Sequence, residues 1–127
     1  MRIKTSEPAS FHVAALLHEN ILASSITLPM EILAGAAQAL GRGAQQSLSF
    51  QCLSEQGGPL TLQTGLTVAT EPFGALTEAD LLIIPAIWRQ PQRVLQKHPR
   101  HIEVITQHLS KRGLTVSIGS GSFLLAA

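Results

Sequence analysis

The chain has 127 residues, 45% of them hydrophobic and only 13% charged, with a net charge of +1; this suits one well-cored domain and excludes both a disordered chain and a dedicated nucleic-acid binder. A single cysteine, Cys52, excludes a disulfide framework and a multi-cysteine zinc site. No apolar run approaches the ~18 residues of a membrane span and no signal-peptide stretch opens the chain, so a cytoplasmic protein without a membrane partner is expected.

After a tail at residues 1–9, Phe11 to Leu17 is almost continuously apolar. That pattern suits a strand buried on both faces, as in a parallel sheet. His18-Glu19-Asn20 is a polar loop. Pro29 fits the first turn of a helix, where its missing N–H costs nothing. Met30, Leu33, Ala34, Ala37 and Leu40 then recur at helical spacing, and Gly41 and Gly43 are expected to end the helix. Leu48 to Leu53 alternates as a second strand, and Gly57-Gly58-Pro59 reads as a turn. Leu60, Leu62, Leu66 and Val68, broken by Gly65, read as a small β excursion. Glu71 to Gly74 is expected to be loop. Leu81-Leu82-Ile83-Ile84 is the strongest buried-strand signal, closed by Pro85. Arg89 to Arg112 is helical with a break at His98-Pro99, and Ile102, Ile105 and Leu109 are expected on its buried face. Leu114 to Ile118 is a last strand, and Gly119-Ser120-Gly121-Ser122 turns into a short helix. Strands alternating with helices predict an α/β sandwich around a mostly parallel sheet. The last helix has barely begun at Ala127, too short to cover its sheet face, so a domain incomplete at its C-terminus is expected.

Three places can carry chemistry. Gly119, Ser120 and Gly121 lie between a strand and a helix. There, backbone N–H groups can hold an anion, or a sharp turn can present a nucleophile; equally, the turn needs glycine only for its backbone conformation. Glu31 is either an exposed carboxylate near a helix start or one aimed into a cleft at the strand ends. Ala86, Ile87 and Trp88 follow the strongest strand, where open α/β sheets bind ligands. Trp88 either lines such a pocket or is a half-buried anchor.

The histidines, His12, His18, His98, His101 and His108, show no metal spacing with acids or Cys52. Pro99 is expected to keep His98 and His101 off a shared helical face, so neither a metal nor a cofactor is expected. Cys52 reads as a small core residue. Charge is uneven: residues 1–80 carry −4 and residues 81–127 carry +5. Without interleaved aromatics, the basic stretch reads as a solvated helix face.

These sites share an order. Pro29-x-Glu31 opens a helix, Asp80-Leu81-Leu82-Ile83-Ile84-Pro85 forms a strand, and Ile118-Gly119-Ser120-Gly121-Ser122-Phe123-Leu124-Leu125-Ala126 follows the last strand. Over roughly residues 10–127 this resembles the DJ-1/PfpI-like (class I glutamine amidotransferase-like) domain at the N-terminus of AraC-family transcriptional regulators. Members read G-P-x-E, D-x-L-x-V-P-G-G and V-C-T-G-A-F-L-L-A at these places. The resemblance implies a flavodoxin-like sandwich and places Glu31 on the family's acid. It places Gly119 at the elbow cysteine, and Ala86 and Ile87 on the glycine pair that supplies an oxyanion-type N–H. Leu28 replaces the glycine before the proline.

The departures argue against catalysis. Gly119 has no side chain to act as nucleophile. Ser120 follows the elbow position and is expected to point elsewhere. No histidine occurs after His108. No catalytic residue is therefore expected. What remains is a pocket of Glu31, Ala86, Ile87, Trp88, Gly119, Ser120 and Gly121. The resemblance implies a ligand-sensing or dimerising domain with a small-molecule effector, a homodimeric assembly, and DNA contacted only through a helix-turn-helix domain absent from this chain. The alternatives are an amidase-like hydrolase using Ser120 or Ser122, and a purely structural interaction domain.

Overall fold

Strand β1 (Ala9–Leu16) runs through the middle of a six-stranded sheet. The other elements are α1 (Ser24–Ala44), β2 (Gln46–Ser54), β3 (Gly58–Thr61), β4 (Thr67–Pro72), β5 (Leu81–Ile84), α2 (Pro91–Lys97), α3 (Pro99–Ser110), β6 (Leu114–Ser117) and α4 (Ser122–Ala126). The computed structural model describes residues 9–44, 46–76 and 78–127. The expected tail therefore lies outside the described residues, except Ala9, which opens β1. The strand order is β3-β4-β2-β1-β5-β6. All neighbouring pairs are parallel except β3 and β4, where the expected β excursion takes the form of an antiparallel hairpin. No described helix is long and apolar enough to cross a membrane.

The near-continuous apolar run of β1 has a direct packing cause. Ala14 and Leu16 point to one face, with Leu82, Ile84, Val94, Val104, Ile105 and Leu124. Val13, Ala15 and Leu17 point to the other, with Ile26 and Ile83, and Met30 and Leu33 of α1 pack there. Period-two alternation thus feeds two cores from one strand, as in sheets covered on both sides. At the sheet edge, β6 is half exposed, and Leu114 and Val116 keep 64% and 44% of their surface in solvent.

Several boundaries differ from expectation. α1 starts at Ser24, so Pro29 is its sixth residue rather than part of its first turn. The chain enters the helix early because Ser25 and Ile26 already turn back onto Leu22 and Ala23. α1 also runs through Gly41 and Gly43 to Ala44; glycine weakens a helix but does not forbid it. Gly58 and Pro59 belong to β3, paired with Thr70 and Ala69, since an edge strand tolerates proline. Glu71 and Pro72 extend β4, and a 3-10 turn follows at Phe73–Ala75. The buried face of α3 is His101, Val104, Ile105 and His108: Ile105 is buried as expected, Ile102 only in part, and Leu109 is exposed. Two imidazoles fill places a hydrophobicity pattern reserves for aliphatics, because each bonds a backbone carbonyl.

Leu82 is fully buried between the layers, whereas Leu114 lies on the exposed edge. Leu82→Ala is expected to lower unfolding free energy by about 2–5 kcal/mol. Leu114→Ala is expected to change it by less than about 0.5 kcal/mol. Urea titrations of both variants test this contrast.

Candidate functional site

The carboxyl ends of β1, β5 and β6 meet the turn at Gly119–Gly121. Gly119 has φ of +52°, the left-handed conformation that a sharp strand-to-helix turn imposes and glycine takes without strain. Gly121 is required for a different reason. A Cβ there would lie 2.5 Å from the carbonyl oxygens of both Ile84 and Pro85, so the turn packs backbone on backbone. The elbow is present, and at its apex there is no side chain.

Next to it, Ala86 and Ile87 are buried and their amides are already engaged. The Ala86 N–H donates to Ser25 Oγ at 2.9 Å, and that hydroxyl donates to the Leu22 carbonyl at 2.7 Å. The Ile87 N–H donates to Ser120 Oγ at 2.8 Å, and Ser120 Oγ donates back to the Ile87 carbonyl at 3.0 Å. The two N–H groups that could stabilise an oxyanion are therefore capped by protein hydroxyls. Ser120 does point away from the elbow apex, and its hydrogen-bonding capacity is directed at Ile87.

The structure brings Ala86, Ile87, Gly119, Ser120 and Gly121 together. Trp88 stands at the same end, 42% exposed, with the Arg89 guanidinium 5.3 Å from its ring centroid, and its backbone N–H donates to the Asn20 carbonyl. Glu31 is the eighth residue of α1, exposed, with no hydrogen bond or ion pair among the described residues. A cavity of about 500 Å³ lies at the amino ends of β5 and β6, between Asp80, Arg100, His108 and Leu114. None of the seven expected pocket residues lines it.

A second constellation sits beyond the carboxyl ends of β1 and β2, and sequence reasoning missed it. His18 and His98 stack with ring centroids 4.8 Å apart, and His101 meets them edge-on at 5.4 and 4.9 Å. All three are at most 8% exposed. Pro99 does not separate His98 from His101. It opens α3, with His98 as the capping residue and His101 in the first turn, so both rings face one side. The Glu19 carboxylate bonds Lys97 Nζ at 2.6 Å and approaches His98 Nε2 at 3.8 Å. The signal available in the sequence was H-P-x-H, read with proline as a helix start instead of a break.

Burial holds these rings neutral. It pushes His18 down to about 3, helped by the neighbouring His101 and His98, and pushes His101 down to about 4. Burial also lowers His98, against the pull of Glu19. With folded values below the ordinary 6.5, the unfolded chain takes up protons first. The stability contributed is full above about pH 6.5 and falls as the pH drops toward the folded values, by at most ~1.4 kcal/mol per pH unit for each histidine. Urea midpoints measured between about pH 7.5 and 5 are expected to fall, and a flat profile would contradict the neutral cluster. Ser120→Ala leaves the Ile87 N–H and carbonyl unpaired and is expected to cost about 1–3 kcal/mol in the same assay.

No protein-family model and no curated protein matches the chain. Solved structures do. A protein assigned as a transcriptional regulator from Vibrio parahaemolyticus is 24% identical, with a TM-score of 0.77 over 92% of this chain and 60% of that one. An AraC-family transcriptional regulator from Pseudomonas putida is 22% identical, with a TM-score of 0.73 over 91% of this chain and 69% of that one. A DJ-1 superfamily protein from Agrobacterium tumefaciens is 19% identical, with a TM-score of 0.63 over 91% and 56%. The chain thus spans between about half and two thirds of these proteins. At such identities the likeness is one of fold, and the parallel sheet, the elbow and the flanking helices agree with it: the chain has the DJ-1/PfpI-like α/β fold.

Proposed function

We propose that the chain is a non-catalytic, ligand-sensing and dimerising domain of a bacterial AraC-family transcriptional regulator, working in the cytoplasm. One observation carries the non-catalytic part: the elbow apex is Gly119, and the adjacent Ala86 and Ile87 amides are held by Ser25 and Ser120. Covalent catalysis needs a nucleophile and free donors for the developing oxyanion, and this corner offers neither. The regulatory part is supported by the fold shared with the Vibrio and Pseudomonas proteins. In this reading DNA is bound by a helix-turn-helix domain elsewhere in the full protein. A net charge of +1 suits a domain that does not itself grip phosphates.

The effector would act by population shift, favouring one arrangement of two domains or two protomers. Trp88 gives the reading a direct probe, because it is the only tryptophan and lies half exposed at the strand ends. The exposed apolar side chains of Val116 and Phe123 support a homodimer.

Titration of the full-length protein with amines, amides and amino-acid derivatives is expected to change Trp88 fluorescence saturably for one class. Sedimentation is expected to show a dimer. Silence across the panel, with a dimer present, would leave an interaction domain only. The protein is expected to show no amidase or glyoxalase-type turnover. Turnover that disappears in the Ser120→Ala, Ser122→Ala double variant would instead establish the hydrolase.

A further inference from the structure

The histidine cluster contains atoms that its own packing leaves without partners. His18 Nε2, His98 Nε2 and His101 Nδ1 are buried and make no hydrogen bond. Their protonation can be assigned from the partners of the other ring nitrogens. His101 Nε2 lies 2.8 Å from the Leu17 carbonyl, which can only accept, so Nε2 carries the proton. His101 Nδ1 therefore holds an unused lone pair. The Asn20 N–H donates to His18 Nδ1 at 3.2 Å, so in the neutral ring the proton of His18 sits on Nε2. His18 is thus a donor at its buried end and unsuited to hold a cation there.

A carboxylate completes the group. Glu55 follows the last residue of β2 and is exposed, and one ligand atom each from Glu55, His98 and His101 lie within 4.8 Å of one another. Two imidazoles and one carboxylate form a donor set of the type that holds Zn²⁺, with a fourth position left for water or another ligand. The His101 N–H on a backbone carbonyl is the arrangement that fixes a metal-binding ring in tautomer and direction. Both histidines are buried, so surrounding side chains hold their rings in place. Ligand atoms bound at ~2.0–2.1 Å can stand no more than ~4.2 Å apart, so the site must contract slightly. The exposed Glu55 can make that adjustment without disturbing the core.

The cluster lies beyond the carboxyl ends of the parallel strands, the end at which open α/β sheets receive ligands. His18 lies two residues past β1, and Glu55 one residue past β2.

We propose that Glu55, His98 and His101 form a binding site for a divalent transition-metal ion of the zinc class. The ion would engage the lone pair of His101 Nδ1, the unpartnered end of His98 and one Glu55 oxygen. This site is separate from the elbow at Gly119, so it stands or falls apart from the regulatory reading.

The test uses untagged full-length protein stripped with chelator, then titrated with Zn²⁺ by calorimetry and with Co²⁺ by visible absorption. One saturable Zn²⁺ site per chain is expected, with a rise in melting temperature and d–d bands for Co²⁺. Mg²⁺ is expected to give none of these. Glu55→Gln lies on the surface and should fold normally; it is expected to weaken Zn²⁺ binding at least tenfold, and His98→Gln at least a hundredfold. Circular dichroism of His98→Gln confirms its fold. Absence of a saturable Zn²⁺ site overturns the proposal. So does Zn²⁺ binding that both variants retain unchanged, since His12 or His108 would then hold the ion.

Discussion

From Val13 to Leu16, β1 has no solvent face, and the rest of the molecule follows from that. A strand covered on both sides must find apolar neighbours above and below it, and a partner for every backbone polar group. The first demand produces two cores, one under α1 and one under α2, α3 and α4. The second demand continues past the strand itself. Leu17 donates its N–H to the Leu53 carbonyl at 2.7 Å, and its own carbonyl receives His101 Nε2. A histidine is drawn into the core of α3 because the end of β1 needs a donor there.

The same accounting explains the elbow. The strand end at Ile84-Pro85 is approached so closely by the turn that only glycine fits at position 121. Such an approach leaves the amides of Ala86 and Ile87 buried, and a buried N–H without a partner costs about 1–3 kcal/mol. In an enzyme that cost is tolerated because substrate supplies the acceptor. Here Ser25 and Ser120 supply it permanently. At this corner the apex carries no side chain and the neighbouring donors are capped within the protein.

Much of this was legible in the sequence. The apolar runs Leu81 to Ile84 and Phe11 to Leu17 and the glycine turn pointed to the sheet, its parallel sense and the elbow, because burial and backbone geometry act on residue type directly. Proline was harder. Pro29 sits inside α1 and Pro99 starts α3, although each was compatible with other positions, since proline constrains one φ and removes one donor without fixing which helical turn it occupies. The strand-end corner was legible as a set, and five of its seven residues meet. Glu31 could not be placed from spacing alone, because its distance from the sheet depends on where α1 begins. The histidine cluster was hidden for a further reason. His18, Glu55, His98 and His101 come from three separate chain segments: the parallel pairing of β1 with β2 brings His18 and Glu55 to one end of the sheet, and the packing of α3 brings the other two there.

That cluster is an expensive way to fill a core. The bond to Leu17 requires one imidazole and uses one of its nitrogens. Aliphatic or aromatic side chains at positions 18 and 98 could fill similar volume without burying polar atoms. Instead three ring nitrogens are left unpaired, each costing about 1–3 kcal/mol where an apolar group would cost nothing. Phe73 shows that this layer accepts such a group, since it packs edge-on against His101 at 4.8 Å. Native cores carry few unpaired buried groups, and those that persist point to a missing partner. A cation bound by Glu55 would satisfy His98 and His101 together. One ion would thus account for two of the three orphan nitrogens, and apolar packing alone accounts for neither of these.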